Sequence, residues 1–70
     1  MSDHCIYLIL VRGQVAEDEI NAGSPVQISV ERVEPAATLI AASSDQSGLV
    51  GLLRHLHSRG FVLQSVNCEQ

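Results

Sequence analysis

Apolar and polar positions follow two different periods along the chain, and these periods predict several strands and one main helix. Residues 5–11 form an unbroken apolar run that ends just before Gly13. A run of this kind is typical of a central strand covered on both faces. Alternate positions of this strand form two apolar faces, one with Ile6, Leu8 and Leu10 and the other with Tyr7, Ile9 and Val11.

One helix can cover only one of these two faces. The second cover is predicted to be either a partner subunit or the connection formed by residues 14–25, in which residues 16–20 could form one helical turn. Glu17, Asp18 and Glu19 are consecutive in this connection, so their carboxylates point in different directions. This spacing favours a solvated acidic loop over a site for a divalent cation.

The middle of the chain, residues 26–42, is predicted to form a β-hairpin. Residues 26–33 alternate between apolar and polar side chains, which predicts a half-buried strand with Val26, Ile28 and Val30 facing inward. Pro35 lies in the following turn, because proline has no amide to donate to a ladder. Residues 38–42 are predicted to return as the third strand.

Residues 45–66 contain the strongest pattern in the sequence. Ser44 or Asp45 is a suitable N-cap, and Gly60 suits the end of a helix. Leu53→Ala is expected to unfold the domain or nearly so. The leucines at i, i+3, i+4 and i+7 share one helical face: Leu49, Leu52, Leu53 and Leu56.

A last strand is predicted over residues 61–66, with a possible extension to Cys68. Simple alternation places Val62, Gln64 and Val66 on one face and Phe61 and Leu63 on the other. The glycines at 48 and 51 lie inside the helix, where each costs about 1 kcal/mol relative to alanine. They indicate close packing against a partner or a ligand, or else are uncompensated surface glycines.

The element order is β-β-β-α-β, and strand–helix–strand crossovers are right-handed. We therefore predict one α+β domain over residues 1–70, with a four-stranded, mainly antiparallel sheet and one helix packed on one face. This architecture is close to a ferredoxin-like sandwich whose first helix has shrunk to a loop.

Composition adds a prediction of self-association. The chain has 70 residues, of which 46% are apolar and only Tyr7 and Phe61 are aromatic. A chain this small buries only about 60% of its unfolded surface, so a dimer interface can bury what the monomer cannot. The net charge is −4, and the four basic residues are scattered arginines, which argues against nucleic-acid binding.

The two cysteines, Cys5 and Cys68, are too few for a disulfide scaffold. Without a signal-like or membrane-spanning segment in view, the expectation is a cytoplasmic protein with reduced thiols and no membrane partner. If the first and last strands pair, the two sulfurs could approach each other, which leaves a disulfide or redox pair open.

No catalytic constellation, metal site or cofactor site is predicted. His55 and His57 diverge by about 200° on a helix, and His4 and Cys5 point to opposite faces of a strand. No local pair has the spacing typical of zinc ligands. The sequence also lacks a nucleophile elbow and a phosphate-binding glycine loop.

The segments VRG at 11–13, TL at 38–39, DQSGLVGLLRHLHSRG at 45–60 and LQSV at 63–66 resemble a group of small uncharacterised bacterial proteins. That group carries no activity to transfer. Asp45, Gly48, Leu49 and Gly60 are also similar to the D-x-x-G-L loop–helix–strand unit of ACT domains, which sense amino acids at dimer interfaces. In ACT domains this unit follows the first strand, whereas here it closes the chain.

These observations predict a non-catalytic interaction or regulatory module. Its partner would be a second copy joined through the sheet or the sheet edge, or another protein. The alternative is an ACT-like amino-acid sensor that uses Asp45, Gln46 and Gly48 at the helix start, where free amides favour an anion. A small enzyme subunit is the third alternative.

Overall fold

The computed structural model describes residues 4–69 as a four-stranded antiparallel sheet with its helices on one face. The strands lie in the order β2-β3-β1-β4. The predicted α+β class is confirmed. No helix in residues 4–69 is long and apolar enough to cross a membrane. The elements are β1 Cys5–Arg12, α1 Glu17–Asn21, β2 Ser29–Val33, β3 Ala37–Ser44, α2 Gln46–Ser58 and β4 Leu63–Glu69.

β1 is the centre of the sheet, because it pairs with β3 on one side and with β4 on the other. Every second residue of β1 is buried towards α2, as the alternation predicts. The buried apolar residues of the described chain form one core cluster on this face. Its buried members are Cys5, Tyr7, Ile9, Val11, Val15, Ile20, Ile28, Ile40, Ala42, Leu52 and Leu56.

The connection between β1 and β2 packs on the same face as α2. Val15 and the fully buried Ile20 belong to the common core. The side-chain amide of Asn21 accepts a hydrogen bond from the Ile28 N–H and donates one to the Ile28 carbonyl oxygen, both at 2.8 Å. The prediction that this connection could cover the opposite face of β1 is therefore wrong, since its apolar residues are used in the core.

The start of α2 is set by Asp45. Its carboxylate accepts a hydrogen bond from the Gly48 N–H at 2.7 Å, which satisfies one unpaired amide of the first turn. Leu52 and Leu56 point into the core and are wholly buried. Leu49 and Leu53 flank them and are only half-buried, so the four predicted leucines line one face but differ in depth.

The end of α2 is a Schellman motif. The Phe61 N–H donates to the Leu56 carbonyl and the Gly60 N–H donates to the His57 carbonyl, each at 3.0 Å. Gly60 has a φ of +86°, a conformation that glycine adopts at little cost. One flank of the helix is also tied to the β1–β2 connection, because Arg59 donates to the Ala22 carbonyl at 2.9 Å.

The ladder between β1 and β4 contains an irregularity that changes which residues share a face. The register shifts between Leu10 and Val11, so that Val11 pairs with Leu63 and Ile9 pairs with Val66. Leu63 and Val66 therefore both lie on the face that carries the core. The prediction from simple alternation, which separated these two residues, is wrong because a bulge inserts one extra residue.

Candidate interaction surface

The face of the sheet opposite α2 has an apolar centre formed by the two middle strands. In residues 4–69, both helices and the apolar residues of the β1–β2 connection pack against the other face, so this one is called the open face. Ile6 is 48% exposed here, and Leu8 and Leu10 are half-buried. Across the β1–β3 ladder the pairs are Ile6 with Ser43, Leu8 with Ala41, and Leu10 with Leu39.

Polar side chains from the outer strands surround this apolar centre. On one side the ladder places Ser65, Asn67 and Glu69 of β4 next to β1. On the other side, β2 and the residues before it contribute polar groups to a shallow groove of about 470 Å³. An apolar centre within a polar rim is the usual anatomy of a protein interface. The groove is lined by Ile6, Leu8, Gln27, Ser29, Glu31, Ala41, Ala42, Ser43 and Glu69.

Charge is distributed unevenly along the strands of the open face. Glu69 pairs with Ile6 at one end, and alternation along β1 places Arg12 at the other end. Arg32 lies near the Arg12 end but is already paired with Glu34 at 2.9 Å. Arg12 has no ion-pair partner within residues 4–69. The open face thus has one acidic end and one basic end.

The predicted ligand residues Asp45, Gln46 and Gly48 lie together at the start of α2. The Gly48 N–H and the Ser47 hydroxyl both donate to the Asp45 carboxylate, and these bonds lower the pKa of Asp45 below its ordinary value of 3.8. The Gly48 amide that an anionic ligand would need is therefore already occupied by a carboxylate of the chain itself. Ligand binding at this place stays a prediction.

Gly48 is explained by close packing inside the chain. A Cβ at this position would overlap the Ser44 hydroxyl oxygen and would lie 3.1 Å from an Asp45 carboxylate oxygen. Ser44 is itself buried at the end of β3. At Gly51 a Cβ would meet only the ring of Pro25, at an ordinary contact distance of 3.7 Å. The two helical glycines therefore have different roles, and only the first is needed for packing.

We expect Gly48→Ala to destabilise the fold and Gly51→Ala to stabilise it by about 0.5–1 kcal/mol. Alanine favours a helix at both positions, but only at Gly48 does the added methyl group collide with Ser44. Urea unfolding of the two variants measures the difference. In a Ser44→Ala background, Gly48→Ala should lose most of its cost. Equal effects at both glycines would contradict this assignment.

The acidic connection forms a second shallow groove, but its polar groups are used by the fold. This groove has a volume of about 480 Å³ and is lined in part by Glu17, Asp18 and Asn21. The Glu17 carboxylate accepts a hydrogen bond from the Val30 N–H at 2.9 Å, and Asn21 holds Ile28. No group of three potential metal-ligating side chains occurs in residues 4–69.

Cys5 and Cys68 form a disulfide that joins β1 to β4, with their Cα atoms 5.8 Å apart. The expectation of two reduced thiols is therefore wrong for this structure. The β1–β4 ladder places the two cysteines on neighbouring strands, with Cys68 directly opposite Tyr7. Sequence reasoning left this bond open because it depends on strand order and register, which no local pattern reveals.

Comparisons of the chain with protein-family models, with curated proteins and with solved structures give no match. The functional argument therefore depends on the geometry of the chain itself.

Proposed function

We propose that this chain is a non-catalytic interaction module that forms a homodimer through the open face of its sheet. The observation that carries the proposal is the uncovered apolar centre formed by Ile6, Leu8 and Leu10 on the central strand. An antiparallel sheet can leave one face in water when the side chains on that face are polar, but the centre of the open face is apolar. The connection that could have covered this apolar centre lies in the core instead.

The charges of the open face favour a second copy in one orientation. In a face-to-face dimer, the two-fold axis lies in the plane between the two sheets. An axis parallel to the strands would bring Arg12 of the two protomers to the same end. An axis perpendicular to the strands reverses the strand direction and brings Arg12 of one protomer to the end that carries Glu69 of the other. Charge complementarity selects the second arrangement.

The size of the face sets the expected affinity. The four strands together contain 28 residues. At about 3.3 Å per residue and about 4.8 Å between strands they cover about 440 Å². A dimer would then bury about 900 Å² in total, which is the size of a weak, transient interface. We therefore expect a dissociation constant on the order of micromolar.

Sedimentation equilibrium over a range of micromolar concentrations tests the proposal, and charge reversal tests the orientation. Arg12→Glu alone, or Glu69→Arg alone, should raise the dissociation constant about tenfold, because each change enters two symmetric contacts. The combined Arg12→Glu/Glu69→Arg variant should restore most of the association. A monomer at every concentration would overturn the proposal, and an additive loss in the double variant would overturn the orientation.

A matched pair of apolar substitutions locates the interface. Leu8→Gln places an amide at the centre of the open face and should abolish the dimer. Val33→Gln is the control, because Val33 is 52% exposed but pairs with Thr38, whose side chain points into the core side of the sheet. Equal effects of the two substitutions on association would contradict an interface on the open face.

We also propose that the architecture is ferredoxin-like. The sequence predicted a related form, β-β-β-α-β, with a loop in place of the first helix, whereas the structure has the short helix α1 there. The succession of elements supports the ferredoxin-like architecture, because β1-α1-β2-β3-α2-β4 is the β-α-β-β-α-β order of that motif. α1 has only five residues, so the second layer is formed mainly by α2 and the β1–β2 connection. The amino-acid sensor is the less favoured function, because the Asp45 carboxylate occupies the amide of Gly48.

A further inference from the structure

The disulfide lies at the margin of the sheet, and its two cysteines differ sharply in accessibility. Cys5 belongs to the inner strand β1 and is only 6% exposed, whereas Cys68 belongs to the outermost strand β4 and is exposed. Beyond β4 there is no further strand in the sheet of residues 4–69. An external thiol therefore meets Cys68 first.

The direction of thiol attack strengthens this difference. Thiol–disulfide exchange proceeds when a thiolate approaches one sulfur from the side opposite to the sulfur that leaves. An attack on Cys68 with Cys5 leaving comes from outside β4, where the approach is open. An attack on Cys5 with Cys68 leaving must come from the β3 side, where Ser44 pairs with Cys5 and is buried.

We propose that Cys68 is the site of thiol–disulfide exchange with a dithiol reductant, and that this exchange controls the attachment of β4. A thiolate of the reductant forms a bond to Cys68 Sγ, the Cys5–Cys68 bond breaks, and Cys5 Sγ takes the electron pair and then a proton. The second thiolate of the reductant then attacks the other reductant sulfur, the one bonded to Cys68. A disulfide forms within the reductant, and Cys68 leaves as a thiolate that takes up a proton. Two hydrogens and two electrons have then passed from the dithiol to the two cysteines.

The burial pattern of β4 explains why the bond matters for this strand. Leu63 is the one residue of β4 that is partly buried, and residues 64–69 are all exposed. Backbone hydrogen bonds to β1 hold the strand along its length. Near Asn67 and Glu69, the disulfide adds a covalent bond between the side chains of β4 and β1. Reduction should therefore loosen the end of β4 while β1, β3 and α2 keep their shared core.

The end of β4 is also part of the proposed interface, because Glu69 lies at the acidic end of the open face. Reduction would weaken the dimer by freeing Glu69, and this consequence depends on the proposed function. Exchange at Cys68 and the loosening of β4 do not depend on it, since both can be measured on the monomer in dilute solution.

Peptide mass spectrometry tests the site of exchange. The oxidised protein is incubated with excess reduced glutathione as the probe thiol, quenched early with acid, and its free thiols are then alkylated. We expect glutathione on Cys68 and the alkyl group on Cys5 in the mixed disulfide, with a preference of about tenfold or more. In 8 M urea, where both sulfurs are accessible, the preference should disappear. Equal labelling of both cysteines in the folded protein would overturn the proposal.

Hydrogen exchange tests the control of β4. The amide protons of residues 65–69 that donate to β1 should exchange at least about tenfold faster after reduction, and a Cys5→Ser/Cys68→Ser variant should behave like the reduced protein. Protection in α2 should persist in both. Unchanged exchange in β4 would overturn the proposed control, and loss of protection in α2 as well would show global unfolding rather than release of one strand.

Discussion

Leu52→Ala should lower the free energy of unfolding by about 2–5 kcal/mol, because it leaves a cavity in the middle of the core. The Leu52 side chain is wholly buried in the core that α2 shares with the sheet and the β1–β2 connection. Small domains have a total stability of about 5–15 kcal/mol, so the variant should be close to unfolded at physiological temperature. Urea unfolding followed by circular dichroism measures the change.

Leu53→Ala is the matched comparison, since Leu53 lies next to Leu52 in the same helix but is only half-buried. Its loss should cost clearly less, because part of its surface is already in water and solvent can fill the space left behind. The loss of stability expected for Leu53→Ala is therefore smaller than the sequence alone suggested. A larger effect at Leu53 than at Leu52 would contradict the placement of α2 on the sheet.

Thr38→Val should also be strongly destabilising, although the two side chains have nearly the same shape. Thr38 is wholly buried on β3, where its hydroxyl donates to the Gly13 carbonyl at 2.7 Å and accepts from the Val15 N–H at 3.0 Å. Valine would leave both backbone groups without these partners, and each unsatisfied group costs about 1–3 kcal/mol. Chemical denaturation should show a combined loss of roughly 2–6 kcal/mol.

Thr38→Ser provides the control, because serine keeps the hydroxyl and loses only a methyl group, worth about 1 kcal/mol. We expect Thr38→Ser to be more stable than Thr38→Val. The reverse order would mean that the methyl group of Thr38, and not its hydrogen bonds to the start of the β1–β2 connection, holds this position.

The parts of the fold that the sequence predicts well are those encoded by local periodicity and capping. The leucine stripe and Gly60 define α2, and the alternation of β1 correctly separates Tyr7, Ile9 and Val11 from the other face. Such patterns need only the geometry of one element, because each residue's direction follows from its position in that element.

The features that the sequence did not predict all depend on two segments meeting. The bulge opposite Leu10 changes the face of Leu63, and the disulfide needs β4 to lie beside β1 in one register. The role of Thr38 likewise depends on the chain turning back at Gly13. Gly48 was noticed as unusual, but its cause, Ser44 at the end of the preceding strand, becomes visible only with the turn between β3 and α2.

The central position of β1 also has a consequence for the order in which the protein can fold. β1 is synthesised before β3 and β4, yet it makes one of its two ladders with β4, which comes last among the described elements. The disulfide joins the same two strands, between cysteines that are 63 residues apart in the sequence. Until β4 leaves the ribosome, β1 exposes an unpaired edge of the kind that promotes aggregation. Completion of the sheet is therefore a late, long-range event, and the nascent chain depends on rapid closure once β4 is available.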